Sequence, residues 1–402
     1  MNKLKVINDP VYGFINVPFT LAFDVIEHPY FQRLRRIKQL GLTCLVYPGA
    51  EGTRFSHALG AMHLMQQAIQ SLRFKGIDIS ESEAEGVSLA ILLHDIGHGP
   101  FSHALEHAIV EDMQHERISQ HIMQALNGEL GGALDTCIAI FNGTYPKQFL
   151  HQLVSSQLDM DRLDYLNRDS FFTGVSEGVV GWDRIIKMLH VANDTLVVEE
   201  KGIYSVEKFL VARRLMYWQA YLHKTSVAAE LMLMHILRRA KELSRAGEAL
   251  FATPSLAYFL QHNLAKTDFC ANSEALGHFM NLDDYDVWAS IKVWCAHPDL
   301  VLSLLCQRLV ARKLHKMQLG TSDLEPQKVQ AIIEMVEKKF GTPAEHLVYT
   351  GALSNSVYNF RSEGIGILKK NGEVQDIALI SGMIAGGITH QTVVKNYICY
   401  PS

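Results

Sequence analysis

An apolar run, Leu89-Ala90-Ile91-Leu92-Leu93, leads directly into His94-Asp95-Ile96-Gly97-His98-Gly99-Pro100-Phe101-Ser102-His103. A run of that kind is buried, so the adjoining imidazole and carboxylate lose their hydration with it. That is unfavourable unless something cationic compensates. A divalent metal is the simplest compensation, because neutral imidazole and carboxylate both ligate it. His94 and Asp95 are adjacent and diverge by ~100° on a helix, so they can share an ion only from its end or edge. The glycines and proline that follow read as a turn bringing both halves of the stretch to one pocket, and the remaining ligands must come from elsewhere in the chain.

The surroundings are helical. Apolar positions recur at helical spacing from about Phe55 to Phe74. Helices are also expected over 29–39, 82–97 (capped near Ser80 or Ser82), 101–110, 115–127, 133–141, 147–168 and 182–190. Residues 195–204 read as a β-hairpin, and 205–245 as one long helix stopped by Gly247. Shorter helices fit 254–320, and another fits 326–339. The tail from 347 is rich in Val, Ile, Tyr and Gly, with Asn371-Gly372 as a hairpin turn. Residues 1–50 start extended or as a hairpin, with turns at Asn8-Asp9-Pro10 and Gly13. This gives a mainly α fold: a helical core with a small β-hairpin and a C-terminal α+β appendage. The expected division is a core over 1–240, a helical extension over 241–330 and a small α+β region over 331–402.

A net charge of -5 gives no global attraction to nucleic acid or anionic membrane. Phosphate binding must therefore be local, and nucleic acid stays open as a partner that charge does not indicate. The six cysteines include no CxxC pair, which fits free thiols in a reducing cytoplasm. The N-terminus lacks the apolar segment of a signal peptide, and no apolar run approaches the ~20 residues that span a bilayer. The reading is a cytoplasmic protein with no membrane partner.

Two stretches offer further ligands: Arg54-Phe55-Ser56-His57 and Leu158-Asp159-Met160-Asp161-Arg162-Leu163-Asp164-Tyr165. The set His57, His94, Asp95 and Asp161 supplies two imidazoles and two carboxylates. One octahedral ion so held keeps positions for water and a phosphate oxygen. Asp161, Tyr165 and Asp169 fall at i, i+4, i+8 and share a face. Arg213, Tyr217, Tyr221 and Lys224 share another, where alternating cations and aromatics suit a polyphosphate beside a sugar or base.

His…His-Asp…Asp resembles the signature of the HD metal-dependent phosphohydrolases. The ordered set His28 to Gly41, Tyr47-Pro48-Gly49-Ala50, Arg54 to His57, Leu93 to His103 and Asp159 to Asp169 is similar to the SAM-and-HD-domain dNTP triphosphohydrolases, over roughly residues 4–235. Their SAM domain has no counterpart in this sequence, so the partner binding it carries is not expected. The resemblance implies hydrolysis of a dNTP to deoxynucleoside and inorganic triphosphate, with one divalent metal ion per site. It implies metal ligands at His57, His94, Asp95 and Asp161, with Asp159 as the fallback for Asp161. His115 would be the catalytic histidine, with His98 and His103 nearby. Glu106, where the family usually has Asp, would orient His103.

On the substrate side the resemblance implies that Tyr165 packs where a ribose 2′-OH would stand. Asp169 and Gln39, next to Leu40, would hold the 3′-OH. Arg54, Arg213 and Lys224 would hold phosphates, and Tyr221 would stack on the sugar; Tyr217 replaces the family's histidine. An activating nucleotide would use Lys5, Val6, Asn8, Gln32, Arg35 and Glu27, the last in place of Asp. A homo-oligomer, dimer or tetramer, is also implied. Two other readings stand beside this one: an HD phosphoesterase for nucleoside monophosphates, cyclic nucleotides or single-stranded nucleic acid, and a non-catalytic nucleotide sensor.

Overall fold

The computed structural model describes residues 5–101, 114–355, 358, 364–383 and 392–402. The protein is mainly α-helical, with three small sheets among the described residues. The helix Glu81–Leu93 is buried on nearly every side, and Leu89 to Leu93 are at most 1% exposed. A helix apolar all round belongs at the centre of a core. It packs against the helices Arg54–Phe74 and Asp135–Phe141, and Met160–Thr173 lies against the first of these. Capping boxes start both central helices, Thr53 with Ser56 and Ser80 with Glu83, and satisfy backbone donors that the first turn leaves open.

The central helix stops at Leu93, four residues short of the expected Gly97, and His94 is its C-cap. The hydroxyl of Ser119 explains the early stop. It donates to the His94 carbonyl and accepts the Gly97 amide, both at 2.9 Å, so the turn's polar groups have a partner outside the helix. Gly97 is required there, since a Cβ would lie 2.2 Å from the His115 carbonyl oxygen.

Other expected elements are interrupted. The 29–39 helix is a short α-turn, Pro29–Gln32, followed by a 3-10 turn, Arg33–Arg36. The 147–168 helix is two, Gln148–Val154 and Met160–Thr173. Asp159 caps the second by accepting the Arg162 amide at 2.7 Å. The hairpin pairs Leu189–Ala192 with Thr195–Glu199, not within 195–204. Its turn residues Asn193 and Asp194 both take positive φ (51° and 59°), the demand of a tight hairpin turn that Asn and Asp tolerate best. The 205–245 helix is split into Ile203–Met216 and Lys224–Arg245 by a π-helical turn at Tyr217–Tyr221. The expected 101–110 helix lies, beyond Phe101, outside the described residues.

The N-terminal hairpin pairs Lys5–Asp9 with Gly13–Val17. Past the helix Pro326–Phe340, the Asn371-Gly372 turn joins two short antiparallel strands, Gly366–Leu368 and Val374–Asp376. The first of these runs parallel to Thr195–Glu199, extending the core hairpin into a four-stranded sheet. A three-stranded sheet places Val393–Tyr400 between Lys316–Gly320 and Tyr349–Asn355. One hydrophobic cluster runs through all of these layers.

Candidate active site

The first turn of Arg54–Phe74, the end of Glu81–Leu93 and the first turn of Met160–Thr173 converge on four side chains. His57 Nε2 and His94 Nε2 are 3.4 Å apart. Asp161 Oδ1 lies 3.1 Å from the first and 3.3 Å from the second. Asp95 Oδ1 is 3.3 Å from His94 Nε2, and its Oδ2 is 3.7 Å from His57 Nε2. Ligands about 2.1 Å from one octahedral ion lie about 3 Å from their neighbours, so these spacings fit a single divalent cation.

The far side of each ring is occupied. His57 Nδ1 is 2.7 Å from Asp164 Oδ2, and His94 Nδ1 is 2.6 Å from the Ile91 carbonyl. Such partners place the proton on Nδ1 and leave Nε2 free to ligate. Burial lowers the proton affinity of His57, but hydrogen bonds and charge from Asp161 and Asp164 outweigh it and lift the pKa to about 10. Asp161 shows the reverse: burial raises it, while His57 and His94 pull it well below the usual carboxylate range. Without a cation the cluster favours a trapped proton, which a divalent ion would displace.

The turn after Asp95 forms the next layer. Arg54, buried, makes an ion pair with Asp95. His98 Nε2 lies 3.3 Å from Asp95 Oδ1, and its ring stacks on His115 at 3.8 Å between centroids. Asp95, His98 and His115 form a second cluster with metal-ligating atoms within 4.8 Å of one another. Burial, helped by the nearby charge of Arg54, pushes His98 down to about 3, so its imidazole is neutral. His103 and Glu106 lie outside the described residues.

Beyond Arg54 opens a cleft of about 410 Å³. Gln39, Leu40, Tyr165, Asp169, Tyr217 and Tyr221 line it. The Tyr221 hydroxyl donates to Asp169 Oδ2 at 2.8 Å. Burial raises Asp169 to about 7 against the lowering effect of that bond. The rings of Tyr165 and Tyr217 both pack edge-on to Tyr221. Gln39 Oε1 is buried with no hydrogen-bond partner among the described residues.

The HD domain family matches residues 54–169, the stretch that carries all four converging side chains, and the HD associated region matches 180–252. The YwfO protein of Bacillus subtilis is 32% identical over 402 residues, covering 96% of this chain and 89% of that one. The chain belongs to the HD-domain phosphohydrolase family. A crystal structure of a phosphohydrolase from Bacteroides thetaiotaomicron VPI-5482 superposes with a TM-score of 0.96 at 50% identity, over 100% of both chains. A deoxynucleoside triphosphate triphosphohydrolase SAMHD1 homolog of Dictyostelium discoideum is 30% identical over 265 residues, 61% of this chain and 51% of that protein. This HD phosphohydrolase thus spans about half of that relative's length.

Some residues expected at the site lie apart from it. The π-turn breaks the stripe Arg213, Tyr217, Tyr221, Lys224: the two tyrosines enter the cleft, and Lys224 is exposed at the start of the next helix. Arg213 stays at the edge of the cleft, its guanidinium 6.0 Å from the Tyr217 ring centroid, and its Nη1 donates to Gln157 Oε1 at 3.0 Å. Asp159 is a helix cap paired with Arg162 at 2.7 Å, and it is Asp161 that faces the histidines. Of the effector set, Lys5, Val6, Asn8, Glu27 and Arg35 are exposed. Arg35 donates to Gln32 Oε1 at 2.8 Å and stacks on the Phe55 ring at 3.6 Å.

Other residues of the HD phosphohydrolase site went unpredicted. Arg33, 1% exposed, donates to the carbonyls of Ile96 (2.8 Å), His98 (3.0 Å) and Leu282 (3.0 Å). Asp284 accepts the amides of Lys38 (2.9 Å) and Phe101 (3.1 Å), tying the segment before Gln39 to the turn that carries His98. Glu230 and Leu353 close the cleft. Arg33 lies within the His28 to Gly41 stretch that carries the family resemblance, and nothing local marks Asp284 or Leu353. No helix among the described residues is long and apolar enough to cross a membrane.

Proposed function

We propose that this HD phosphohydrolase cleaves deoxynucleoside triphosphates to deoxynucleoside and inorganic triphosphate. The observation that carries the reading is the lining of the cleft adjoining the ligand cluster. In it the Tyr221–Asp169 hydrogen bond and Gln39 Oε1, which has no partner among the described residues, stand beside the Tyr165 ring. Asp169 and Gln39 offer acceptors for a 3′-OH, while the ring of Tyr165 fills the space a 2′-OH would need.

In the reaction, a water oxygen bonds to the α-phosphorus as the bond from phosphorus to the 5′-oxygen breaks, and the 5′-oxygen takes up a proton. A divalent ion held by His57, His94, Asp95 and Asp161 would supply Lewis acidity toward the phosphate oxygens. His115, stacked on the neutral His98, donates the proton to the leaving oxygen. Arg54 is oriented by Asp95 and faces the cleft, where its guanidinium offsets phosphate charge. The exposed side of the N-terminal hairpin, with Gln32 and Arg35, is the candidate seat for an activating nucleotide, and assembly as a dimer or tetramer belongs to the same reading.

Product analysis with each dNTP and NTP under Mg²⁺ or Mn²⁺ tests it. Deoxynucleoside and triphosphate are expected. Pyrophosphate with a monophosphate would overturn the cleavage assignment, and equal turnover of ribonucleotides would overturn the sugar selection.

A further inference from the structure

The ligand cluster does not end at His57. Asp164, whose Oδ2 holds His57 Nδ1, accepts Arg168 Nε at 2.9 Å on the same oxygen and Arg168 Nη2 at 3.1 Å on the other. Arg168 turns its remaining edge to Asp9, with Nη1 2.8 Å from Oδ2 and Nη2 3.3 Å from Oδ1. Asp9 ends the first strand of the N-terminal hairpin, and its Oδ1 also accepts the amides of Val11 (2.9 Å) and Tyr12 (3.0 Å) in the turn. His57, Asp164 and Arg168 are 0% exposed, and Asp9 is 7% exposed. An unbroken buried chain therefore runs from the hairpin turn to one imidazole of the cluster.

Stability alone is a poor reason to keep such a chain, because burying three charges costs desolvation that their attraction often fails to recover. Two carboxylates around one guanidinium also leave a net negative charge behind His57. That is the field that raises the basicity of an imidazole meant for a cation. The helix Arg54–Phe74 is shaped around the pair. Gly60 sits in its interior, where glycine costs about 1 kcal/mol relative to alanine. A Cβ at that position would lie 2.0 Å from Asp164 Oδ1 and 2.2 Å from Arg168 Nη2. The Tyr12 ring lies under the guanidinium at 5.6 Å, closing the hairpin side.

We propose that Asp9 is a positioning residue for the metal centre: docking of the N-terminal hairpin, passed through Arg168 and Asp164, holds the His57 ring in its ligating orientation and sets metal affinity. This rests on the reading of His57, His94, Asp95 and Asp161 as a divalent-metal site. Coupling of this kind is reciprocal, so metal binding tightens the hairpin turn by the same factor that the hairpin tightens the metal.

The test is Mn²⁺ affinity of the full chain, read from free Mn²⁺ by electron paramagnetic resonance. Asp9→Asn keeps an acceptor oxygen for the turn amides and removes the charge facing Arg168. Its Mn²⁺ Kd is expected to rise about 10-fold, the low end of the range for losing a direct outer partner of a ligand, because Asp9 acts through Arg168 and Asp164. Gly60→Ala, which leaves the hairpin sequence intact, is expected to do the same. Hydrogen exchange on the unaltered protein gives a measurement free of folding defects: saturation with Mn²⁺ should slow exchange at Val11 and Tyr12. An unchanged Kd in folded Asp9→Asn, even with a lowered Tm, would overturn the proposal, as would unchanged exchange at those two amides. Mn²⁺ binding by the unaltered protein in those cases leaves the metal reading standing. A failure of the unaltered protein to bind Mn²⁺ at all would remove both.

Discussion

The two ends of the cleft are held in opposite ways. At the candidate metal end three of the four side chains have a second partner made of protein: Asp164 behind His57, the Ile91 carbonyl behind His94, and Arg54 and His98 on Asp95. At the proposed sugar end polar atoms face the cavity instead: among the described residues Gln39 Oε1 is buried without a partner and the Asp169 carboxylate is held by one tyrosine hydroxyl. The metal end is assembled from two helix starts and one helix end within a packed core. The sugar end draws on segments from Gln39 to Leu353. A centre that must present a fixed set of lone pairs to a small ion gains from rigidity. A pocket that must close on a flexible ligand keeps its hydrogen-bonding capacity for that ligand.

That contrast can be broken at four points. Asp161→Ala removes a ligand no other side chain replaces, so kcat/KM should fall on the order of 10³-fold or more with Mn²⁺ present. Steady-state kinetics on protein of unchanged circular dichroism checks it, and a variant keeping a tenth of the activity would show that the metal end is not the seat of the chemistry. Arg33→Met leaves the carbonyls of Ile96, His98 and Leu282 without their donor. Folding stability should drop by about 3 kcal/mol, measured as a shift in the urea midpoint. Equal stability would mean that the turn needs no support from the 282–284 segment.

At the sugar end, Tyr221→Phe loses the bond to Asp169, and KM should rise about tenfold with kcat little changed. A fall in kcat alone would move Tyr221 to the metal end of the comparison. The smallest effect is in pH. Asp169, raised by burial to about 7, titrates near neutrality. Its folded pKa exceeds the ordinary carboxylate value of about 3.9, so its contribution to stability is greatest in acid and is lost as pH rises through about 7. The ionised form is the stronger acceptor for a 3′-OH, so KM should fall about threefold from pH 6 to pH 8. The same profile in Asp169→Asn would remove Asp169 from that role.

The side chains that converge at the candidate metal end were legible because most of their signal is local. His94-Asp95 stands at the end of an apolar run and His57 at the opening of a helical pattern, while the choice of Asp161 over Asp159 came from the family resemblance. Helix existence was legible for the same reason, since the 3.6-residue period of buried positions is written along the chain. Interruptions were less visible. A π-turn adds one residue to a helical turn, so the stripe from Arg213 to Lys224 kept its period in the sequence and lost Lys224 in space. The breaks at Leu93 and at Asp159 depend on hydrogen bonds from the Ser119 hydroxyl and from the Arg162 amide.

The sequence by itself determined the mainly α core, the four side chains that can share a cation and the phosphohydrolase class. Tertiary structure alone decided what stands behind them. Asp9 meets Arg168 across 159 residues, and Arg33 meets Leu282 across 249. A charge needs a partner only once packing has removed its water, and no local pattern says which distant carboxylate or carbonyl will be brought to it.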